Sequence, residues 1–320
     1  MARDIAPLIL VDGFAGTGKS TTAQRLWLSL ARSGRDAAWF HEHESAHPIF
    51  QYGEIEELLQ WTPERLERHL LAGWERCAAA RDRSTRIIEG SFLQIPVAVM
   101  LAMNAPSARI RALLQEIDGI VARGGGALVY LFRTDLRQAF QAIGESRGEP
   151  WLEGMTAALA QSPYGQRHRV RDLNGLIEYY RRQHVIIDSV FRRLLTPRIA
   201  IDVSAARWDR YQRTMNTFLH LPKASPAPLS SAAVMRHVGE FRGAKTRQPC
   251  RILTDARDLY LQLPRTNLLK MLHVGGDRFC LEGLAIDVRF AYGRNGAATR
   301  FTYQSRMVTE VLTDTRWVRA

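Results

Sequence analysis

The spacing of apolar residues changes several times along the chain, and each change predicts an element. Residues 5–11 form an almost unbroken apolar run, the pattern of a strand buried on both faces of a parallel sheet. From Thr21 to Leu30 the period lengthens to that of a helix, with Gly34 as its stop. Short strand patterns return at residues 36–41, 86–89, 127–132 and 199–203, separated by helical stretches. Two helices are expected between the second and third strands. The second opens at Thr62-Pro63-Glu64, where Thr62 can cap, Pro63 suits the first helical position and Glu64 favours the positive end of the dipole. A helix is predicted over residues 107–123, a long arginine-studded helical region runs from the fourth strand to Leu195, and a closing helix covers 206–219. Five strands alternating with helices define an α/β domain with a parallel sheet, whose ligands gather at the carboxyl ends of the strands.

Residues 222–228 are rich in Pro and Ser and read as a linker. Beyond them the period drops to that of strands, at residues 250–253, 258–263, 277–281 and 285–292, with turn signals at Gly275-Gly276 and Asn295-Gly296. This predicts a small antiparallel β-domain. The expected organisation is an α/β domain over residues 1–221, a linker over 222–232 and a β-barrel-like accessory domain over 233–320.

Composition narrows the class. At 320 residues with 46% hydrophobic content, a substantial core is expected and wholesale disorder is not. There is no run of eighteen apolar residues and no apolar leader before the first strand, so a soluble cytoplasmic protein without a membrane partner is expected. Cys77, Cys250 and Cys280 are too scattered for a disulfide framework or a metal cluster and read as reduced, mostly buried thiols. The net charge is +12, almost all of it from arginine, since the lysines are only Lys19, Lys223, Lys245 and Lys270. From Pro222 onward sixteen Lys and Arg stand against eight Asp and Glu, so about two-thirds of the excess lies in the C-terminal part. With no basic run and no aromatic-basic signature, nucleic acid is not an expected partner.

The chemistry is concentrated in residues 13–20, Gly-Phe-Ala-Gly-Thr-Gly-Lys-Ser, which fit the phosphate-binding pattern G-x-x-x-x-G-K-[ST] and lie between a strand and a helix as that pattern requires. Backbone N–H groups of Gly13, Ala15, Gly16, Thr17, Gly18 and Lys19 would wrap a polyphosphate, with Lys19 reaching the terminal phosphates and Ser20, followed by Thr21, closing the loop on Mg2+. The helix that follows adds its unpaired N–H groups and dipole to the anion site. After the second strand, His41-Glu42-His43-Glu44-Ser45-Ala46-His47 is a dense titratable patch where ligands bind, and Glu42 and Glu44 are both candidate bases. Glu89, ending the third strand, is the candidate second holder of Mg2+.

Asp12 through Thr22 resembles the first-strand motif of the thymidylate kinase-like and deoxynucleoside kinase-like branch of the P-loop kinases: an acidic residue and glycine open the loop and paired hydroxyl residues close it. The resemblance spans residues 5–220 in layout. It implies a three-layer P-loop fold with a five-stranded parallel sheet, phosphoryl transfer from ATP with Mg2+, a glutamate after the second strand as base, and an arginine-bearing lid after the fourth. Arg147 fits the lid position, and Arg167 and Arg169 fall in a polar loop beyond it, where guanidinium forks would match phosphate oxygens. Ser204, after the last strand, lies where such folds hold adenine. The relatives carry Asp-Arg at the end of the third strand and this chain has Glu89-Gly90, which leaves the acceptor open. Residues 238–242, 258–262, 276–279 and 287–290 resemble the lipocalin-like barrel appended to some bacterial hydrolases of the serine β-lactamase type, which implies an accessory module for substrate cover or homo-oligomerisation.

These observations lead to an ATP-dependent kinase acting on a small-molecule acceptor. The alternative is an NTP-hydrolysing switch whose basic β-domain binds a macromolecule.

Overall fold

The structure of the chain, a computed structural model, describes residues 5–50, 60–80, 84–221, 229–263, 268–307 and 314–320. Five strands, β1 (Leu8–Gly13), β2 (Ala37–Phe40), β3 (Thr85–Glu89), β4 (Gly126–Phe132) and β5 (Arg198–Asp202), form one parallel sheet in the order β2-β3-β1-β4-β5. All six residues of β1 are buried, which explains its unbroken apolar run. β1 pairs with β3 on one side and β4 on the other, so Val11 lies opposite both Glu89 and Val129. The chain leaves β1 toward one edge and later crosses to the other, so the carboxyl end of β1 is the topological switch point where open α/β sheets bind ligands.

The helices follow their capping and periodicity signals. They are α1 (Lys19–Arg32), α2 (Pro63–Ala79), α3 (Gln94–Ala102), α4 (Ser107–Arg123), α5 (Leu136–Arg147), α6 (Glu149–Gln161), α7 (Pro163–His168), α8 (Leu173–Phe191), α9 (Trp208–Phe218) and α10 (Ser231–Met235). Thr62 accepts a hydrogen bond from Arg65 N at the start of α2, with Pro63 in the first turn. Ile110, Leu113, Leu114, Ile117 and Val121 of α4 make the buried stripe of an amphipathic helix.

Three differences from the sequence reading have local causes. The apolar segment that forms α3 is buried nearly all round, so no amphipathic period announces it. Arg167 belongs to a helix rather than a loop, because Ser162 caps α7 through Gly165 N and Pro163 occupies its first turn; Arg169 follows in a left-handed conformation that ends it. The first helix expected after β2 overlaps residues 51–59, which lie outside the described residues, as do residues 222–228 of the expected linker. α10 begins in the last positions of that linker, capped by Ser230.

By internal packing the chain divides into two units. One comprises Met1–Ala23, Asp36–Glu42 and Ala46–Leu221, and the other Gln24–Arg35, His43–Ser45 and Pro222–Ala320. In the second unit, β6 (Gly239–Gly243), β7 (Pro249–Thr254), β8 (Leu259–Gln262), β9 (Leu269–Gly275), β10 (Arg278–Leu281), β11 (Ile286–Tyr292), β12 (Ala298–Ser305) and β13 (Arg316–Arg319) close into an antiparallel barrel. Closure leaves no unpaired edge. The inward positions, among them Phe241, Phe279, Phe290, Phe301 and Trp317, fill the barrel with apolar side chains. Cys250 and Cys280 are buried, and burial pushes both thiols up to about 12. Gln24 is buried in the same unit, its amide nitrogen donating to Leu281 O and its oxygen accepting from Gly283 N. No described helix is long and apolar enough to cross a membrane.

One ionisable group sits among the barrel aromatics. His237 is fully buried between the rings of Phe279 and Phe290, with its Nε2 2.9 Å from the Tyr292 hydroxyl. Burial, then the nearby Arg236 charge, lowers its pKa from 6.5 to about 4. The unfolded chain therefore takes up a proton at His237 that the folded barrel refuses, and stability falls as pH drops through this window. His237→Gln removes the titration while leaving a partner for Tyr292. The decrease in melting temperature of the full chain between about pH 7 and about pH 4.5 should be smaller in this variant than in the wild type.

Candidate nucleotide site

The phosphate-loop motif is a tight connection between β1 and α1, and two of its glycines are required sterically. A Cβ on Gly13, where φ is 145°, would lie 2.1 Å from Leu131 O on the neighbouring strand. One on Gly18, where φ is 81°, would lie 2.7 Å from the Trp208 ring at the start of α9. Inside the turn, Thr17 N, Thr17 Oγ1 and Lys19 Nζ all donate to Phe14 O, at 3.3, 2.8 and 3.3 Å. The Phe14 ring stacks on His184 of α8 with centroids 4.0 Å apart and meets the edge of Tyr180 at 5.7 Å. Burial lowers the pKa of His184, which favours a neutral imidazole against the loop.

Lys19 is only 5% exposed, and its ammonium lies 3.7 Å from Glu42 Oε2. Ser20 Oγ donates to Glu89 Oε1 at 2.5 Å, and Glu89 is completely buried. Burial raises the Glu89 pKa, the Glu42 charge raises it further, and Lys19 with hydrogen bonds from Ser20 and Trp39 opposes the rise. The structure thus gathers Lys19, Ser20, Glu42 and Glu89 at the ends of β1, β2 and β3. A hydroxyl and a carboxylate in hydrogen-bond contact are both hard oxygen donors of the type Mg2+ takes, so Ser20 and Glu89 fit that ion chemically.

Glu44 has a different partner. It is buried in the second unit, where it accepts a hydrogen bond from Arg306 Nη1 at 2.6 Å. Gly90 follows Glu89 and borders the Glu42 carboxylate. With φ at 67°, a Cβ there would lie 2.4 Å from Glu42 Oε2, so a side chain at position 90 and the Glu42 carboxylate in its present place exclude each other.

The arginines differ in reach. Arg147 ends α5 with its guanidinium 4.8 Å from the Trp151 ring centroid. The pKa of the buried Tyr180 hydroxyl is raised by burial and by Glu42 and lowered by Arg147, which puts Arg147 and Glu42 within electrostatic range of one phenol. Arg147, Arg167 and Arg169 are all exposed. Ser204 donates both its N–H and its hydroxyl to Asp202 Oδ1, at 2.9 and 2.6 Å, closing a turn after β5.

Two supporting residues were given no role of their own by sequence reasoning. Asp12 is buried and accepts hydrogen bonds from the backbone N–H groups of Gly13, Phe92, Leu93 and Gln94, so it ties the end of β1 to the first turn of α3. Burial raises its pKa to about 6 against the effect of these bonds and of Lys19. Its place at the head of the glycine loop was the available signal. His47 is likewise buried: its Nδ1 accepts from Ile49 N and Phe50 N, and its Nε2 lies 3.2 Å from Ser91 Oγ beside the end of β3. The accepting Nδ1 assigns the proton to Nε2.

No protein-family model and no curated protein matches the chain. Among solved structures it is similar to shikimate kinase from Acinetobacter baumannii in complex with shikimate, at 18% identity and a TM-score of 0.33, over 67% of this chain and 93% of that one. It is also similar to EHV4-TK, a thymidine kinase, complexed with TP5A, at 13% identity and a TM-score of 0.30, over 66% of this chain and 97% of that one.

Two measurements test the site. Asp12→Asn turns an NH2 group toward amides that now donate to a carboxylate, and it should destabilise the chain by about 1–3 kcal/mol in chemical denaturation. Because Glu89 has a raised pKa, titration of the chain with Mg-ATP should release a proton near neutral pH if Ser20 and Glu89 take the ion. The binding enthalpy should therefore vary with the ionisation enthalpy of the buffer, and this dependence should fade as pH rises.

Proposed function

We propose that the chain is an ATP-dependent phosphotransferase that moves the γ-phosphoryl group to a hydroxyl-bearing or other nucleophilic small molecule. The observation that carries this reading is the Glu42 carboxylate held 3.7 Å from the buried Lys19 ammonium. The loop amides and Lys19 bind the phosphates, which brings the γ-phosphorus next to Glu42. An acceptor hydroxyl in that space gives its proton to Glu42 as its oxygen bonds to the γ-phosphorus, while the bond to the β-γ bridging oxygen breaks and ADP leaves. Glu44, engaged with Arg306, is not assigned this role. Ser20 and Glu89 would hold Mg2+, which when bound supplies charge neutralisation to the phosphate oxygens. Arg147 stabilises charge on the transferring group, with Arg167 and Arg169 as further lid arginines and Ser204 beside the adenine.

The test is to incubate the protein with Mg-ATP and a metabolite extract and to search by mass spectrometry for a compound heavier by one phosphoryl group. Lys19→Ala should lose ATP affinity. Glu42→Gln should keep ATP affinity and lose about 10²–10⁴-fold in turnover. Gly90→Ala, which displaces the Glu42 carboxylate, should lower turnover in the same direction. Absence of any phosphorylated product, together with ATP hydrolysis insensitive to Glu42→Gln, would overturn the reading.

A further inference from the structure

The outer face of the barrel carries an ordered row of arginines. Strand register sets Arg278 of β10 directly opposite Arg289 of β11, Arg289 opposite Thr302 of β12, and Thr302 opposite Arg316 of β13. All four side chains are exposed, and their chain neighbours Phe279, Val288, Phe301 and Trp317 point into the core. Arg300 is the next outward residue on β12. At about 4.8 Å between strands, the row from Arg278 to Arg316 spans about 14 Å.

Like charges directly opposite in an antiparallel pair are destabilising, so the pairing of Arg278 with Arg289 is a local cost. Acidic neighbours compensate little of it. Asp277 lies 3.7 Å from Arg289 and both are largely exposed, while Asp287 faces Arg306. Arg278, Arg300 and Arg316 make no ion pair among the described residues. A depression of about 200 Å³ lies over the row, lined by Arg278, Arg289, Thr302 and Gln304 with Asp287 and Val288.

We propose that this face binds the phosphate backbone of a nucleic-acid duplex without reading its sequence. The charges are strung along a line instead of converging on a point, which suits a polyanion. Guanidinium forks match phosphate oxygens, and the hydroxyl and amide of Thr302 and Gln304 add neutral hydrogen bonds. Among the described residues no aromatic ring stands outward in the row to stack single-stranded bases, and the exposed apolar side chain beside it, Val318 opposite Arg300, is of a type that seldom anchors a protein hot spot and is too small to hold a membrane surface. The basic surface is invisible as a run in the sequence because its members come from separate strands.

Fluorescence anisotropy of the full chain with two labelled DNA duplexes of unrelated sequence tests the proposal. Equal affinities are expected for the two. The logarithm of the binding constant should fall with the logarithm of salt concentration with a slope of about −3.6, from four phosphate contacts. Arg278→Gln with Arg289→Gln should bring the slope to about −1.8. Removing the same charge from exposed Arg192 and Arg193 of the other unit should leave it unchanged. If the double variant does not fold, as judged by its melting curve, Arg316→Gln alone should reduce the slope by about 0.9. Absence of duplex binding at low salt would overturn the proposal, as would an equal loss from the Arg192 and Arg193 control. Binding of phosphatidylserine vesicles or an acidic peptide through Arg278 and Arg289 in place of the duplex would overturn it too.

Discussion

Burial of the Lys19 ammonium is the constraint on which the organisation of the first unit depends. A charge withdrawn from water has to be met by oxygen, and here the oxygens come from Phe14 O and from Glu42, with Glu89 in electrostatic range. These groups belong to the loop after β1, the segment after β2 and the end of β3. In a parallel sheet all the strands finish at one edge, and this brings together three points that long crossover connections separate in the sequence. The second carboxylate exceeds what one lysine can neutralise, which is why burial and Glu42 raise Glu89 and why Ser20 donates to it. In the reading proposed above, a divalent cation on Ser20 and Glu89 would balance this excess of carboxylate, and the loop amides with Lys19 would face the phosphates.

Around this centre, other buried polar groups hold backbone in place. Asp12 collects four amides from two chain segments, and His47 accepts two amides and reaches Ser91. Each satisfies N–H groups that would otherwise be orphaned at a helix start or in a buried loop. Gly90 belongs to the same construction. By having no side chain it leaves the space that the Glu42 carboxylate occupies.

The barrel applies a different rule. Its period-two alternation sends Phe279, Phe290, Phe301 and Trp317 inward and arginines outward, and the interior is full. Its outer surface has no edge strand left by closure, and arginine dominates the charge there.

Much of this was legible in the chain because the signals are local. An unbroken apolar run, a Thr-Pro-Glu helix start and a glycine loop ending in Lys-Ser each act over a few residues, and they suffice to locate the parallel strands, α2, α4 and the phosphate loop. The helix over residues 94–102 escaped because uniform burial erases the helical period, and Arg167 was misplaced because the Ser162-Pro163 cap was read as a loop. The choice between Glu42 and Glu44 had no local signal. Two residues apart in one polar patch, they are separated by partners far away in the sequence, Lys19 for one and Arg306 for the other. The same holds for the Arg278, Arg289 and Arg316 row, which exists only in the register of paired strands. Propensity and spacing decide what a short segment becomes; long-range pairing and burial decide which side chains meet, since their energies depend on neighbours that no short stretch of sequence contains.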